Sequence, residues 1–155
     1  MSRQTSRREF LRAVGGAAAG LGLASVIAVE PARATPASMQ EAIRKVVGAA
    51  QVQTGRVKLD LPPLSENGNT VPMTVTVESP MTEQSHVTEV LIVADANPRS
   101  GVATFHFTPA SGVAEANTRI RLASTQDVIA VAKMNDGSFY TASKQVKVTI
   151  GGCGG

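Results

Sequence analysis

Cys153 is the single cysteine of the chain, and it stands in the run Gly151-Gly152-Cys153-Gly154-Gly155. A thiol, once deprotonated, is a nucleophile and a point of covalent attachment. Glycines give no side chain to a core and lose the most entropy on ordering, so no packing role is expected for the four beside it. What they supply is a thin tether with no bulk next to the sulfur. Five extended residues reach roughly 16–18 Å at about 3.3–3.6 Å each. The pattern predicts delivery of a sulfur atom into a narrow site on another protein. A catalytic cysteine usually has a cation or a helix N-terminus nearby that favours the thiolate. Here the nearest cation in sequence is Lys147, six residues back, and the carboxylate of Gly155 disfavours the thiolate. Activation is therefore expected from a partner, and no residue of this chain is assigned a catalytic role.

The other end carries an address. Ser6-Arg7-Arg8-Glu9-Phe10-Leu11-Arg12 precedes an apolar run from Ala13 to Val29, the pattern of a twin-arginine export signal read through Arg7 and Arg8. The run is rich in Gly and Ala and weaker than the ~20 strongly apolar residues of a spanning helix. Ala32-Arg33-Ala34 is a small-x-small cleavage site, so residues 1–34 are expected to be removed after Ala34. No cysteine stands at the end of the apolar run, where a lipoprotein anchor needs one, and the mature protein is expected in the periplasm without stable membrane association. In such a compartment an odd cysteine points to intermolecular chemistry or a reactive free thiol.

Removal of the signal changes the charge argument. Five of the 15 Lys and Arg and two of the 12 Asp and Glu lie in it, which leaves ten of each and a net charge of zero. The pI near 9.4 belongs to the whole chain. With one Tyr, four Phe and no Trp, and no surplus of basic charge, the nucleic-acid signature is absent.

The elements that must hold the tail follow from periodicity. Removing 34 of 155 residues leaves 121, enough for one domain with its own core. Ser38-Met39-Gln40-Glu41 is a capping box, and Met39, Ala42, Ile43, Val46 and Val47 follow at helical spacing up to Gly48. After Gly55 the chain predicts about seven strands. They include Arg56–Leu61, an alternating Val71–Val77, a nearly continuous apolar Val87–Ala94, Val102–Phe107 and Arg119–Leu122. Val128–Met134 and Phe139 onward are joined through Asn135-Asp136-Gly137, a hairpin turn. The last strand ends on Val146, Val148 and Ile150, expected to face inward, and the glycines begin at once. Turns are expected at Pro62-Pro63, Glu66 to Asn69, Ser79-Pro80, Asn97-Pro98 and Pro109 to Gly112. Strands of this number and spacing predict an immunoglobulin-like β-sandwich over residues 35–150, with residues 151–155 as its flexible tail.

Weaker signals read as structure. His86 and His106 lack a third ligand at suitable spacing, so no metal site is assigned. Met39, Met73, Met81 and Met134 read as core filler. Arg119 and Arg121 share one strand face, read as solvated.

The chain resembles the SoxY family, the sulfur-carrier subunits of the periplasmic thiosulfate-oxidising (Sox) system. The resemblance rests on the export signal, Glu66-Asn67-Gly68-Asn69 with Val71-Pro72, and Thr104-Phe105-His106-Phe107-Thr108-Pro109. It continues in Thr118-Arg119-Ile120-Arg121-Leu122-Ala123 and in Val146-Lys147-Val148-Thr149-Ile150 leading into the tail. It implies that Cys153 is the attachment point for pathway intermediates. A haem enzyme would conjugate thiosulfate to it, a hydrolase would release sulfate, and a sulfane dehydrogenase would act on the remaining sulfur where present. It also implies a heterodimer with a second β-sandwich subunit, SoxZ, and a carrier that has no cofactor and is not an enzyme. Two rivals remain. Gly154-Gly155 is shared with ubiquitin-like sulfur carriers, but those need ATP, which an exported protein does not meet. An adhesive or structural sandwich crosslinked through Cys153 accounts for the thiol but leaves the four glycines without a purpose.

Overall fold

The structure, a computed structural model, describes residues 34–151. The α-helix α1 (Pro36–Val47) has its cap three residues before the one expected at Ser38. Thr35 is the N-cap: its hydroxyl accepts from the Ser38 N–H at 3.2 Å, and its own N–H donates to Ser38 Oγ at 2.8 Å. Pro36 then opens the first turn, where its missing N–H costs nothing. Gly48 ends the helix at φ +64°. Met39 and Val47 are buried, and with Ala42, Ile43 and Val46 they cover Leu91, Val93, Ile129, Val131 and Phe139 on one face of a sheet.

That sheet runs β1-β9-β8-β5-β6, and a second, three-stranded sheet runs β2-β4-β7. The strands are β1 (Val52–Thr54), β2 (Val57–Asp60), β3 (Leu64–Asn67), β4 (Val71–Val77), β5 (Val87–Ala94), β6 (Gly101–His106), β7 (Ala114–Ile120), β8 (Gln126–Met134) and β9 (Phe139–Ile150). The sandwich core lies between the sheets. Val71, Met73, Val75 and Val77 of β4 alternate inward, as period two requires, against Val87, Val90, Ile92, Val128, Ala130 and Val146. β5 is apolar on both faces for a plain reason: Val90 and Ile92 meet the second sheet, while Leu91 and Val93 lie under α1. Met39, Met73, Met81 and Met134 are all buried.

The β8–β9 hairpin has the expected turn. Gly137 sits at φ +82° and its N–H donates to the Met134 carbonyl at 3.1 Å. The hydroxyl and the N–H of Ser138 both hydrogen-bond Asp136 and hold its carboxyl below the usual range.

Among the described residues there are nine strands, against about seven expected. The two additions, β1 and β3, are short and mostly exposed, so no alternation betrays them. Both pair in parallel with the long β9, β1 at Phe139–Thr141 and β3 at Lys147–Ile150. β8 pairs with β9 only as far as Val146, so β3 holds the last four residues of the strand. Val146 is buried and Val148 packs on the core, but Ile150 is 66% exposed, contrary to the inward orientation expected of it. Beyond Val146 the strand has left β8 and runs along the rim. No helix among the described residues is long and apolar enough to cross a membrane.

Candidate functional site: the root of the C-terminal tail

The end of β9 is fixed from three sides. The Lys147 N–H donates to the Pro63 carbonyl at 2.9 Å, and the Val148 N–H to Thr125 Oγ1 at 3.0 Å. The Ile150 carbonyl accepts from the Gly68 N–H at 2.7 Å, and the Gly68 carbonyl accepts from the Leu122 N–H at 2.8 Å. The β3–β4 turn thus joins the last residue of β9 to the segment that follows β7. Asn67 stiffens this turn by accepting from the Asn69 N–H at 2.9 Å.

Gly151 is the last described residue, and it corrects one expectation. A Cβ placed there would overlap the carbonyl oxygen of Ala123. Glycine is required because the chain leaves the sandwich in close contact with another backbone. Gly151 therefore has a packing role that its place in a glycine run conceals. Gly152, Cys153, Gly154 and Gly155 lie outside the described residues, as do Arg7 and Arg8. Ala34, the expected cleavage residue, is buried, and its N–H donates to the Asn97 carbonyl at 2.7 Å.

Asn97 organises this end of the molecule. Its Oδ1 accepts from the Ala123 N–H at 2.8 Å and from Gln126 Nε2 at 2.9 Å, while its Nδ2 donates to the Arg121 carbonyl at 2.9 Å. Gln126 in turn accepts from the Ala96 N–H at 3.0 Å and donates to the Ser124 carbonyl at 3.1 Å. Both side chains are buried and both are satisfied. Asn97 holds Ala123, and Ala123 abuts Gly151, so one buried amide sets where the tail begins. Asn97→Ala would remove the partners of the Ala123 N–H and the Arg121 carbonyl, both in part-buried hydrogen bonds, at about 1 kcal/mol for each bond lost. Urea unfolding should show a loss of that order, together with faster hydrogen exchange at the Ala123 amide. An unchanged midpoint and unchanged exchange would remove Asn97 from this role.

Beside Asn97 lies a cleft of about 480 Å³ between β6 and β7, the edge strands of the two sheets. Its apolar lining includes Val102, Phe105 and Ile120, and Arg99, Arg119 and Arg121 line it too. Arg119 and Arg121 thus border a cavity, where the sequence favoured a solvated face over a binding site. Asn97, Gln126 and Arg99 carried no usable sequence signal. Asn97-Pro98 marks a turn, but the bonds that make Asn97 a hub reach residues 24 to 29 positions away.

The histidines have local partners. His86 Nδ1 lies 3.0 Å from the Thr82 carbonyl, and His106 Nδ1 lies 3.6 Å from a Glu89 carboxylate oxygen. Among the described residues no three His, Cys, Asp or Glu side chains gather as a metal site would need.

Residues 43–153 match the family described as sulfur oxidation protein SoxY, a match that runs up to and includes Cys153. Among solved structures the chain is similar to the sulfur carrier protein SoxY from Chlorobium limicola f. thiosulfatophilum. The two are 30% identical over 74% of this chain and 98% of that one, with a TM-score of 0.62. It is also similar to the superoxide reductase (neelaredoxin) from Ignicoccus hospitalis, at 17% identity over 74% of this chain and 94% of that one, TM-score 0.54. That second likeness is one of fold alone. No curated protein sequence matches the chain. A family match that spans most of the sandwich and reaches the lone cysteine, with a structural relative at 30% identity, leads to one conclusion: the chain belongs to the SoxY family of sulfur oxidation proteins.

Proposed function

We propose that this chain is a covalent carrier of sulfur intermediates in thiosulfate oxidation, with Cys153 as the attachment point. The observation that carries the proposal is the relation of that residue to the fold. The family match ends on Cys153, two residues past the point where β9 is fixed by Gly68, Thr125 and Ala123. A rigid root followed by a short glycine tether suits a group that must visit several active sites. Loading joins the thiol to thiosulfate: RSH and S2O3²⁻ give RS–S–SO3⁻, one proton and two electrons, which a haem enzyme of the pathway accepts. Hydrolysis of RS–S–SO3⁻ by one water then yields the persulfide RS–SH, sulfate and a proton. A sulfane dehydrogenase, where the pathway has one, would oxidise the remaining sulfur. The chain itself supplies position and reach and no catalytic group, and it works as a heterodimer with a SoxZ-like β-sandwich subunit.

The site of action on this reading is the periplasm, reached by a twin-arginine signal over residues 1–34. Processing after Ala34 would leave Thr35 first, with its cap onto Ser38 intact. The test is a thiol titration of the purified heterodimer after incubation with the haem enzyme, thiosulfate and an electron acceptor. The single thiol should disappear in step with electrons accepted and return on treatment with dithiothreitol. A thiol titre that stays constant while thiosulfate is consumed would contradict the carrier role.

A further inference from the structure

The cleft between β6 and β7 concentrates charge that the rest of the chain does not explain. The described residues hold ten Lys and Arg and ten Asp and Glu, yet three arginines and no acid line this one cavity. None of the three makes an ion pair among the described residues. Arg119 has one neutral contact, Nη1 to Thr70 Oγ1 at 3.3 Å. Guanidinium groups over an apolar lining suit a planar or tetrahedral oxoanion, which can accept several of their N–H donors at once.

Position identifies the anion. Asn97 and Arg121 line the cleft, and Asn97 also bonds Ala123, whose carbonyl meets Gly151. Arg121 is two residues from Ala123, and Cys153 is two residues from Gly151. Each of these spans is at most about 7 Å at 3.3–3.6 Å per residue. The cysteine side chain with a disulfide-linked sulfonate adds several ångströms beyond its Cα, and an arginine side chain reaches out by a similar length. The charged end of a conjugate on Cys153 can therefore meet the rim of the cleft.

We propose that this cleft is a docking site for the sulfonate end of the conjugate RS–S–SO3⁻ on Cys153, a proposal that rests on the carrier reading. The free thiol and the persulfide have no sulfonate to offer, so the cleft holds the tail in the sulfonated state and lets it go after hydrolysis. Exposed ion pairs are individually weak. The docked state accordingly opens often enough for a partner enzyme to take the tail.

The intact purified protein can be loaded without any partner enzyme. Tetrathionate reacts with the thiolate as RS⁻ + ⁻O3S–S–S–SO3⁻ to give RS–S–SO3⁻ and thiosulfate, and intact mass confirms the adduct. Methyl methanethiosulfonate gives an uncharged S-methyl disulfide of the same attachment for comparison. In ¹⁵N-labelled protein, the Nε–Hε signals of Arg99, Arg119 and Arg121 should shift on forming the sulfonated adduct and stay in place on forming the methyl one. The shifts should collapse at 1 M salt, where the screening length is about 3 Å. The amide signals of Gly101 and Val102 should shift likewise, and in an Arg119→Gln/Arg121→Gln variant that response should be lost while amides elsewhere report an unchanged fold.

Equal responses to the two adducts, or none to either, would overturn the proposal. So would shifts that grow with protein concentration, since the sulfonate would then sit in a second copy. Equal shifts in Cys153→Ser on adding equimolar free thiosulfate would make the cleft a general anion site and would overturn it too. Because the loading is chemical, a negative result here leaves the carrier reading standing, and failure of enzymatic loading would leave this measurement interpretable.

Discussion

Cys153→Ser is expected to abolish thiosulfate-dependent turnover in a reconstituted system while leaving the sandwich intact. A serine oxygen can form neither the mixed disulfide nor the persulfide, so every step that needs the attached sulfur stops. Turnover should fall to the level seen without the chain. Stability should stay within about 0.5 kcal/mol, as for changes away from packed sites. The core that sets stability lies between the sheets, and Val71, Val87, Val90, Ile92 and Val128 in it are fully buried and far in sequence from the tail. Denaturant midpoints of parent and variant check the second half of the expectation. Retained turnover with serine at this position would end the carrier account.

The second large effect concerns Gly152 and Gly154. Without Cβ atoms they reach positive φ freely and leave the sulfur without lateral bulk. Replacing both with valine should leave the thiol fully titratable by a small reagent yet strongly slow its loading by partner enzymes. The loss reaches several kcal/mol in the barrier if the angles imposed in the partner's site are forbidden to a β-branched residue. Single-turnover loading rates at fixed enzyme concentration measure this directly. Equal rates for parent and variant would mean a wide cleft in the partner and glycines that serve flexibility alone. Gly151 belongs to a different class, since the contact that excludes a side chain there lies within this chain, at the Ala123 carbonyl. Gly151 is thus a packed root, and the valine variant tests whether the glycines beyond it act as a tether.

The packed role of Gly151 was hidden in the sequence, and its concealment has a physical cause. Local patterns report local geometry. The alternation of Val71, Met73, Val75 and Val77 announced a half-buried strand, and Asn135-Asp136-Gly137 announced the hairpin whose register the structure shows. The two apolar faces of β5 were legible as a central strand, although only the structure shows that α1 covers one of them. β1 and β3 stayed hidden because a short exposed strand pairing with a rim has no apolar face to repeat. Ile150 was misread for a related reason. Its period-two place matched Val146 and Val148, but the strand had already passed the end of β8. The cap moved from Ser38 to Thr35 because the proline between them favours the earlier start. The lone cysteine among glycines is what points the sequence toward sulfur carrying, and Cys153 itself lies outside the described residues. The network behind Gly151 was not legible, because Asn97, Ala123 and Gln126 meet only through folding.

Whether sulfur travels on Cys153 can be read from the intact mass of the protein. Protein purified without reductant from cells oxidising thiosulfate should carry mass additions of one sulfur atom and of one thiosulfate-derived group. Fragmentation should place both on Cys153, and reductant should remove both. A protein recovered from such cells only as the free thiol, or only as a disulfide-linked dimer, would contradict the claim.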